Sequence, residues 1–498
     1  MMGRLGPVMS IPAETFFLTT GFAGTLQQQI QQMISEGIVS GRFRAGEKLP
    51  SSRKLAHRLG VSRITVTLAY TELVAGDYLI SRGRSGYYVS DTAPMQPDFD
   101  VPRDAPGDSV DWDSVVSRRF SRHELPIKPQ DWGNFPYPFI YGQADATLFD
   151  HQNWRLCALR ALGKRDFEPL TADYYERDDP MLIEYIVRNI LPRRGIAARP
   201  EQVLLTLGAQ NGLWIAAHVL LARGRTAVVE NPCYPGLRAI LSQMDCTVTP
   251  SDIDKEGLQP AALPTSPHVV FTTASHHCPT NATMPVERRR ALLDKAASEN
   301  FIIVEDDYEF EMSFIKAAAP ALKSLDHEGR VVYAGSFSKS LFPGLRLGYL
   351  VASEAFIREA RALRATVLRH PPGHIQRTVA YFLALGHYDT LINRLKQAYK
   401  RRRTTMDDAI RANRLEVAGQ GSFGGSSFWM RAPEAVDTEI LAETLRARGV
   451  LIEPGRFFFA PRTAPRNFYR LAYSSIAQSR IPEGIARIAG EMSESGLS

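Results

Sequence analysis

Two periodicities divide this chain. From about residue 137 onward, short apolar runs alternate with longer stretches of helical period. The runs 203–207, 226–229, 269–272, 301–305, 331–334 and 348–351 read as strands. Residues 210–222, 285–299 and 354–370 read as helices between several of them. This alternation predicts an α/β architecture around a mostly parallel sheet, with ligands beyond the carboxyl ends of the strands.

The first ninety residues follow another pattern. Leu26, Ile30, Met33, Ile34 and Ile38 recur at helical spacing, and Gly41 and Gly46 break the run. A short helix then follows Leu49-Pro50, capped by Ser51 or Ser52, with Leu55 and Leu59 inward. Gly60 ends it in a tight turn, and Ser62 caps a third helix over 63–76. In that helix Ile64, Leu68 and Leu73 are expected inward, and Arg63, Thr65, Thr67 and Tyr70 outward. Residues 78–89 read as two short strands around a basic glycine turn, with Arg84 at its tip. A short helix, a glycine turn and a second, polar-faced helix predict a helix-turn-helix, whose second helix enters the major groove. Residues 91–136 are rich in Pro, Asp and Ser and aperiodic apart from a short helix at 112–120, as expected of an extended connector.

Composition narrows the classes. A length of 498 residues suggests two or three domains, and 44% hydrophobic with 22% charged residues is ordinary for a globular chain. Residues 1–90 hold ten Lys/Arg against five Asp/Glu, so about five of the six net positive charges lie there, which suits a polyanion partner. Four scattered cysteines without a CxxC pair indicate neither a disulfide framework nor a zinc site, so no metal is expected. Cys278 reads as a small buried filler rather than a nucleophile. Residues 1–20 lack a basic region followed by an apolar run, and no apolar stretch is long enough to span a bilayer. A cytoplasmic protein without a membrane partner is expected.

The chemistry concentrates at strand ends. Ser336-Phe337-Ser338-Lys339, followed by Pro343-Gly344-Leu345-Arg346-Leu347-Gly348, sets one lysine, two hydroxyls and one arginine around a single turn. A lysine amine of this kind forms a Schiff base with pyridoxal phosphate, and hydroxyls with a guanidinium suit the phosphate. Leu207-Gly208-Ala209-Gln210 joins a strand to a helix whose free N–H groups bind a phosphate. Tyr234, in the loop after the strand ending near Val229, can lie over a heterocycle. Glu305-Asp306-Asp307-Tyr308 ends a strand with acids, and a carboxylate beside a pyridine nitrogen keeps it protonated. Taken singly, these are a helix-capping turn, a buried loop aromatic, a solvated strand end and a surface lysine. Four in this order, each at a strand end, point to one cofactor site.

That order resembles the aspartate-aminotransferase superfamily of fold type I, from about residue 137 to the C-terminus. The resemblance implies that Lys339 is the Schiff-base lysine and Asp306 the partner of the ring nitrogen, with Glu305 or Asp307 in its place under a shifted alignment. It implies Tyr308 at the ring hydroxyl, Tyr234 stacked on the ring, and Gly208, Ala209, Gln210, Ser336, Ser338 and Arg346 at the phosphate. Tyr469-Arg470-Leu471-Ala472-Tyr473 resembles the segment whose arginine grips a carboxylate, which gives that role to Arg470. LPSSRKLA, LGVSRITV and GRSGYYV resemble the winged helix of GntR-type repressors. By that resemblance Arg53 and Arg63 contact DNA backbone and base edges, Thr65 and Thr67 assist, and Arg84 and Gly86 act from the wing.

The two halves together resemble the MocR/GabR family of transcriptional regulators. Implied are a winged helix-turn-helix domain at 22–91, a linker at 92–136 and an aminotransferase-like, pyridoxal-phosphate-binding domain at 137–498. Implied too are a double-stranded operator, an amino-acid or amine effector sensed through an external aldimine, and a head-to-tail, domain-swapped homodimer. No turnover is needed; the alternative is a working aminotransferase with an accessory DNA-binding domain. Three departures touch loops near the cofactor. His277 stands where the family more often has Gln, Asn281 where it has Gly, and 174–180 lacks the usual glycine before a helix. His277 is therefore a candidate effector contact.

Overall fold

A computed structural model describes residues 10–94, 109–118, 120–122, 128–143, 145–173, 175–461 and 464–494. The chain divides into two compact units, 1–118 and 119–498. Much of the expected connector, including 95–108 and 123–127, lies outside the described residues, as does Tyr174; the short helix expected at 112–120 covers Trp112–Val115.

In the first unit, α1 (Leu26–Val39) starts in a reciprocal cap between Thr25 and Gln28. Ser51 caps α2 (Ser52–Leu59) and Ser62 caps α3 (Arg63–Ala75), each hydroxyl accepting a backbone N–H from three residues on. The antiparallel pair β1 (Leu79–Ser81) and β2 (Tyr87–Val89) closes the wing. Ile30, Ile34, Ile38, Leu55, Val66, Ala69, Tyr70, Leu73, Leu79 and Val89 form its core.

One expectation is corrected here. Ile64 and Leu68 face outward, 71% and 48% exposed, while Tyr70 is buried. The helix carries two apolar stripes, and only one can meet α1 and α2. Val66, Ala69, Tyr70 and Leu73 follow at i, i+3, i+4 and i+7, a longer continuous stripe than Ile64 and Leu68 provide. Burial of Tyr70 is tolerated because its hydroxyl donates to the Pro50 carbonyl at 2.8 Å.

The strands of the second unit are β3 (Tyr137–Pro138), β4 (Val203–Thr206), β5 (Thr226–Asn231), β6 (Thr247–Asp254), β7 (Gly257–Leu258), β8 (Val269–Thr272), β9 (Ile302–Asp307), β10 (Val331–Ser336), β11 (Gly348–Val351), β12 (Glu416–Gln420), β13 (Ser427–Arg431), β14 (Val450–Leu451), β15 (Glu453–Pro454) and β16 (Phe468–Ala472). Eight build one sheet in the order β4–β11–β10–β9–β8–β5–β6–β7. From β10 through β6 every pairing is parallel, and β11 runs antiparallel to both neighbours. The expected strands and helices appear with ends shifted by no more than two residues. Their uninterrupted apolar character has a simple cause: both faces are covered. Leu204, Val332 and Leu350 pack under helices Ala209–Leu220 and Glu354–Leu368, whereas Val203, Leu205, Tyr333 and Tyr349 meet residues of Gly373–Ala384 and His387–Ala412 on the other side. The reversal at β11 sets Gly348 opposite Ser336, so the segment carrying Arg346 folds back to the carboxyl edge of the sheet. A second, antiparallel sheet, β12–β13–β16–β15, places Arg470 directly across from Glu453.

Among the described residues no helix is long and apolar enough to cross a membrane, and no cluster of His, Cys, Asp and Glu is suited to a metal.

The phase of α3 has a direct check in two matched truncations. Leu73→Ala is expected to cost about 2–5 kcal/mol and Leu68→Ala no more than about 0.5 kcal/mol, read by amide hydrogen exchange across α1–α3 in the full-length chain.

Candidate functional site

At the carboxyl edge of the large sheet lies a cavity of about 310 Å³. Lys339, three residues beyond β10, projects into it with its Nζ 4.1 Å from the centre of the Tyr141 ring. Burial, reinforced by the Lys128 charge and partly offset by Glu309, lowers its pKa from 10.5 to about 8. Gly142, at φ +76°, is what makes room for it: a Cβ there would collide with Nζ.

The acidic run on β9 is separated by the pleat of the strand. Glu305 accepts from the Leu322 and Lys323 N–H groups, both at 2.8 Å. Asp307 accepts from Arg194 Nε at 2.7 Å and from the Tyr333 hydroxyl at 2.9 Å. Asp306 alone of the three lines the cavity, with its Oδ1 buried and without a hydrogen-bond partner. Burial, with Asp307 and Glu230 adding negative charge, raises its pKa from 3.8 to about 7.

Ala209, Gln210, Ser336, Ser338 and Arg346 all line the same cavity. Ala209 and Gln210 open the helix Ala209–Leu220, whose first N–H groups have no intrahelical acceptor. Arg346 Nη2 donates to the Leu207 carbonyl at 3.0 Å, and Ser336 Oγ accepts from the Ser338 N–H at 3.1 Å. Gly208 caps the helix behind this group without lining the cavity. Tyr234 and Tyr308 complete the wall; the Tyr234 hydroxyl donates to Gln210 Oε1 at 3.2 Å.

Arg470 enters from the second sheet. Its Nε donates to Glu453 Oε2 at 2.9 Å, and its guanidinium lies 4.0 Å from the Tyr141 ring and 4.7 Å from that of Phe458. Burial disfavours the charge on Arg470, but the Glu453 carboxylate restores it and holds the arginine ionised. Lys128 adds a further cation, its Nζ donating to the Tyr141 carbonyl and lying 3.8 Å from Glu453 Oε1.

Sequence reasoning missed Tyr141, Gly142, Lys128, Glu309 and Glu453. Three carried a signal. Glu453 is the one charge after the apolar run Val450-Leu451-Ile452, and Tyr141-Gly142 ends the run Phe139-Ile140. Glu309 follows Tyr308 directly; it accepts from the Tyr141 hydroxyl at 3.1 Å and approaches His276 to 3.0 Å. Nothing in the sequence marks Lys128.

His277 sits apart from the cavity lining. Its Nδ1 lies 2.7 Å from the Thr280 hydroxyl and its Nε2 3.4 Å from Glu230. Asn281 explains the glycine usual at its position, because its φ is +62°, which Asn tolerates better than most side chains. In 175–180, Asp178 is buried against Arg364 at 2.6 Å, and Asp179 caps the helix Pro180–Tyr185. Cys278 lines the cavity, and burial pushes its thiol up to about 12, so it stays neutral.

On the winged helix, Arg53, Arg63 and Arg84 are exposed. The Thr67 hydroxyl donates to the Arg63 carbonyl at 2.9 Å, and that of Thr65 pairs with Ser62 Oγ at 2.8 Å. Gly86 takes φ +105° in the turn.

Fold and site together define a winged-helix unit joined to a fold type I aminotransferase-like unit. The family model for aminotransferase class I and II matches residues 160–488, and that for the gntR family of bacterial regulatory proteins matches 26–89. The chain is 63% identical over 482 residues to the HTH-type transcriptional regulator TauR of Rhodobacter capsulatus, covering 97% of this chain and 99% of that one. It is 28% identical to the probable rhizopine catabolism regulatory protein MocR of Rhizobium meliloti, over 92% of each chain. The kynurenine aminotransferase of Pyrococcus horikoshii shares the fold, with a TM-score of 0.68 at 24% identity over 77% of this chain and 98% of that one. The chain belongs to the MocR-type transcriptional regulators, in which a GntR-type helix-turn-helix precedes an aminotransferase class I and II domain.

Pyridoxal phosphate is the cofactor of that domain family, and the cavity fits it. It offers a buried amine with lowered pKa, an unpartnered buried carboxylate and a set of anion-binding donors.

The unpartnered carboxylate sets a pH dependence. A group raised from 3.8 to about 7 binds its proton more tightly in the folded chain, so its ionisation destabilises the fold as pH rises through that range. In cofactor-free protein, Asp306→Asn is expected to melt above wild type at pH 8, the gap closing by about pH 4. Thermal unfolding at both pH values checks this; a gap independent of pH would contradict it.

Proposed function

We propose that the large unit holds pyridoxal phosphate at Lys339 and senses an amine or amino-acid effector there, and that occupancy changes the affinity of the winged helix for a double-stranded operator. The observation that carries this reading is Asp306: a buried carboxylate oxygen without a partner, in the same cavity as Lys339. A carboxylate left so is costly unless a cation or N–H donor meets it.

Bound, the cofactor supplies an aldehyde carbon that exchanges one amine for another. Each residue then has a part. Lys339, with burial bringing its pKa down to about 8, provides the resident amine. Asp306 keeps a proton on the ring nitrogen, Tyr308 meets the ring hydroxyl and Tyr234 the ring face. The start of helix Ala209–Leu220, behind its Gly208 cap, holds the phosphate with Ser336, Ser338 and Arg346. Arg470, steadied by Glu453, receives an effector's acid group. An effector that prefers one of two conformations shifts the population between them, and DNA affinity follows.

On the DNA side, Arg53 and Arg63 meet phosphates and base edges with help from Thr65 and Thr67, and Arg84 and Gly86 act from the wing. The working boundaries are 22–91 for the reader, 92–136 for the linker and 137–498 for the sensor, in the cytoplasm. A head-to-tail homodimer is part of the proposal. It is supported by Leu156, Leu159, Leu162 and Phe167, all more than half exposed on neighbouring helical segments.

The visible absorption spectrum is the direct test. Wild-type protein with added pyridoxal phosphate is expected to show a visible band that Lys339→Ala lacks, and its rate of formation should rise with pH through about 8, where the amine loses its proton. No band in wild type would overturn the reading.

A second titration tests Arg470. Arg470→Gln is expected to weaken the spectral response to amino acids roughly tenfold or more, and the response to a simple alkylamine far less. Equal losses for both would remove Arg470 from the effector site.

A further inference from the structure

The outward stripe of α3 has no structural explanation. Ile64 is the second residue of that helix and 71% exposed, and Leu68, one turn on, is 48% exposed. An exposed β-branched residue gains no burial and is a poorer helix former than Ala, Lys or Arg. The core of the unit is already supplied by Val66, Ala69, Tyr70 and Leu73. Ile64 therefore adds nothing visible to the fold.

Its surroundings indicate what it meets. Ile64 adjoins Arg63 on the helix that a helix-turn-helix sends into the major groove, and residues at the start of that helix reach base edges. Arg53, Arg63 and Arg84 are exposed cations, and the first turn of α3 has no acidic residue, so the surface is complementary to a polyanion. The hydroxyl protons nearby are engaged: Thr67 donates to the Arg63 carbonyl and Thr71 to the Thr67 carbonyl, each at 2.9 Å. Beside the Arg63 guanidinium and the Thr65 and Thr67 hydroxyl oxygens, the start of the helix thus offers one apolar group to base edges, that of Ile64. In the major groove only one base feature is apolar, the 5-methyl group of thymine.

We infer that Ile64 reads a thymine 5-methyl group in each half-site of the operator, with Leu68 extending the same apolar stripe. This rests on the winged helix being a DNA reader. It adds a specificity determinant that works by desolvating a methyl group rather than by hydrogen bonding.

The test uses full-length protein and a duplex selected from a randomised library by the wild type. Each thymine of that duplex is replaced singly by deoxyuridine, which removes the methyl group and leaves the Watson–Crick pairing unchanged. At one thymine per half-site the replacement is expected to weaken wild-type binding about fourfold, the worth of one buried methyl. Ile64→Ala should bind the parent duplex weaker by a similar factor and be nearly indifferent to deoxyuridine at that position, whereas Ile64→Val keeps part of the discrimination. Wild-type indifference to every deoxyuridine overturns the inference. So do penalties for variant and base change that simply multiply, because the methyl is then read by another residue. Ile64→Ala with unchanged DNA affinity but a smaller sedimenting species would make the stripe a protein contact. Failure to enrich any sequence would instead fault the DNA-reading premise, and the inference with it.

Discussion

The strand β9 governs this site through the alternation of its side chains. Three consecutive acids at the end of a buried parallel strand would repel one another if they shared a face. The pleat sends Glu305 and Asp307 away from the cavity, where backbone N–H groups and the buried Arg194 compensate them. Asp306 is left on the cavity side with its Oδ1 unpartnered and its charge offset only in part, by Lys339. Its charge is disfavoured by burial and by both neighbouring carboxylates, Asp307 and Glu230. The fold therefore holds an unsatisfied demand for a cationic or N–H partner at one defined point, and the breakage of Asp307–Arg194 would disturb it indirectly.

The cavity is also electrically divided. Lys339, Arg470 and Lys128 crowd its other walls, and Glu309 and Glu453 offset part of that charge. Tyr141 lies between two of the cations, its ring about equally close to Lys339 and Arg470, while its hydroxyl is anchored on Glu309. Carboxylates from β15 and from the segment after β9 thus tune cations borne by β16 and by the turn after β10. A ligand that brings its own charge alters several of these pairs together.

The winged helix shows how one helix can carry two apolar stripes and use them differently. The continuous stripe is taken up by the core, where Tyr70 is accepted because Pro50 supplies an acceptor for its hydroxyl. The shorter stripe is left facing solvent beside the exposed arginines. The buried stripe is the longer one, Val66, Ala69, Tyr70 and Leu73, and including Tyr70 in it requires counting a polar-tipped aromatic as a core residue.

Local chemistry in the sequence determined a great deal. Helix starts at Thr25, Ser62 and Ser353 are written in capping side chains, and the strands of the large sheet in apolar runs, because these effects act within four residues along the chain. The order of Gly208, Tyr234, Asp306 and Lys339 at successive strand ends was legible for the same reason: parallel strands put their carboxyl ends on one edge. Tertiary structure alone decided the rest. It decided which face of β9 meets the cavity, so that Asp306 rather than its neighbours lies there, and turned His277 toward Thr280 and Glu230. It also joined Arg470 to Glu453 across β16 and β15, and brought Lys128 and Tyr141 to the Lys339 amine. These choices depend on groups far apart along the chain, brought together by packing of the two sheets and their helices. No spacing rule encodes them, because the energy that selects them is desolvation and charge pairing in a cavity that exists only once the chain has folded.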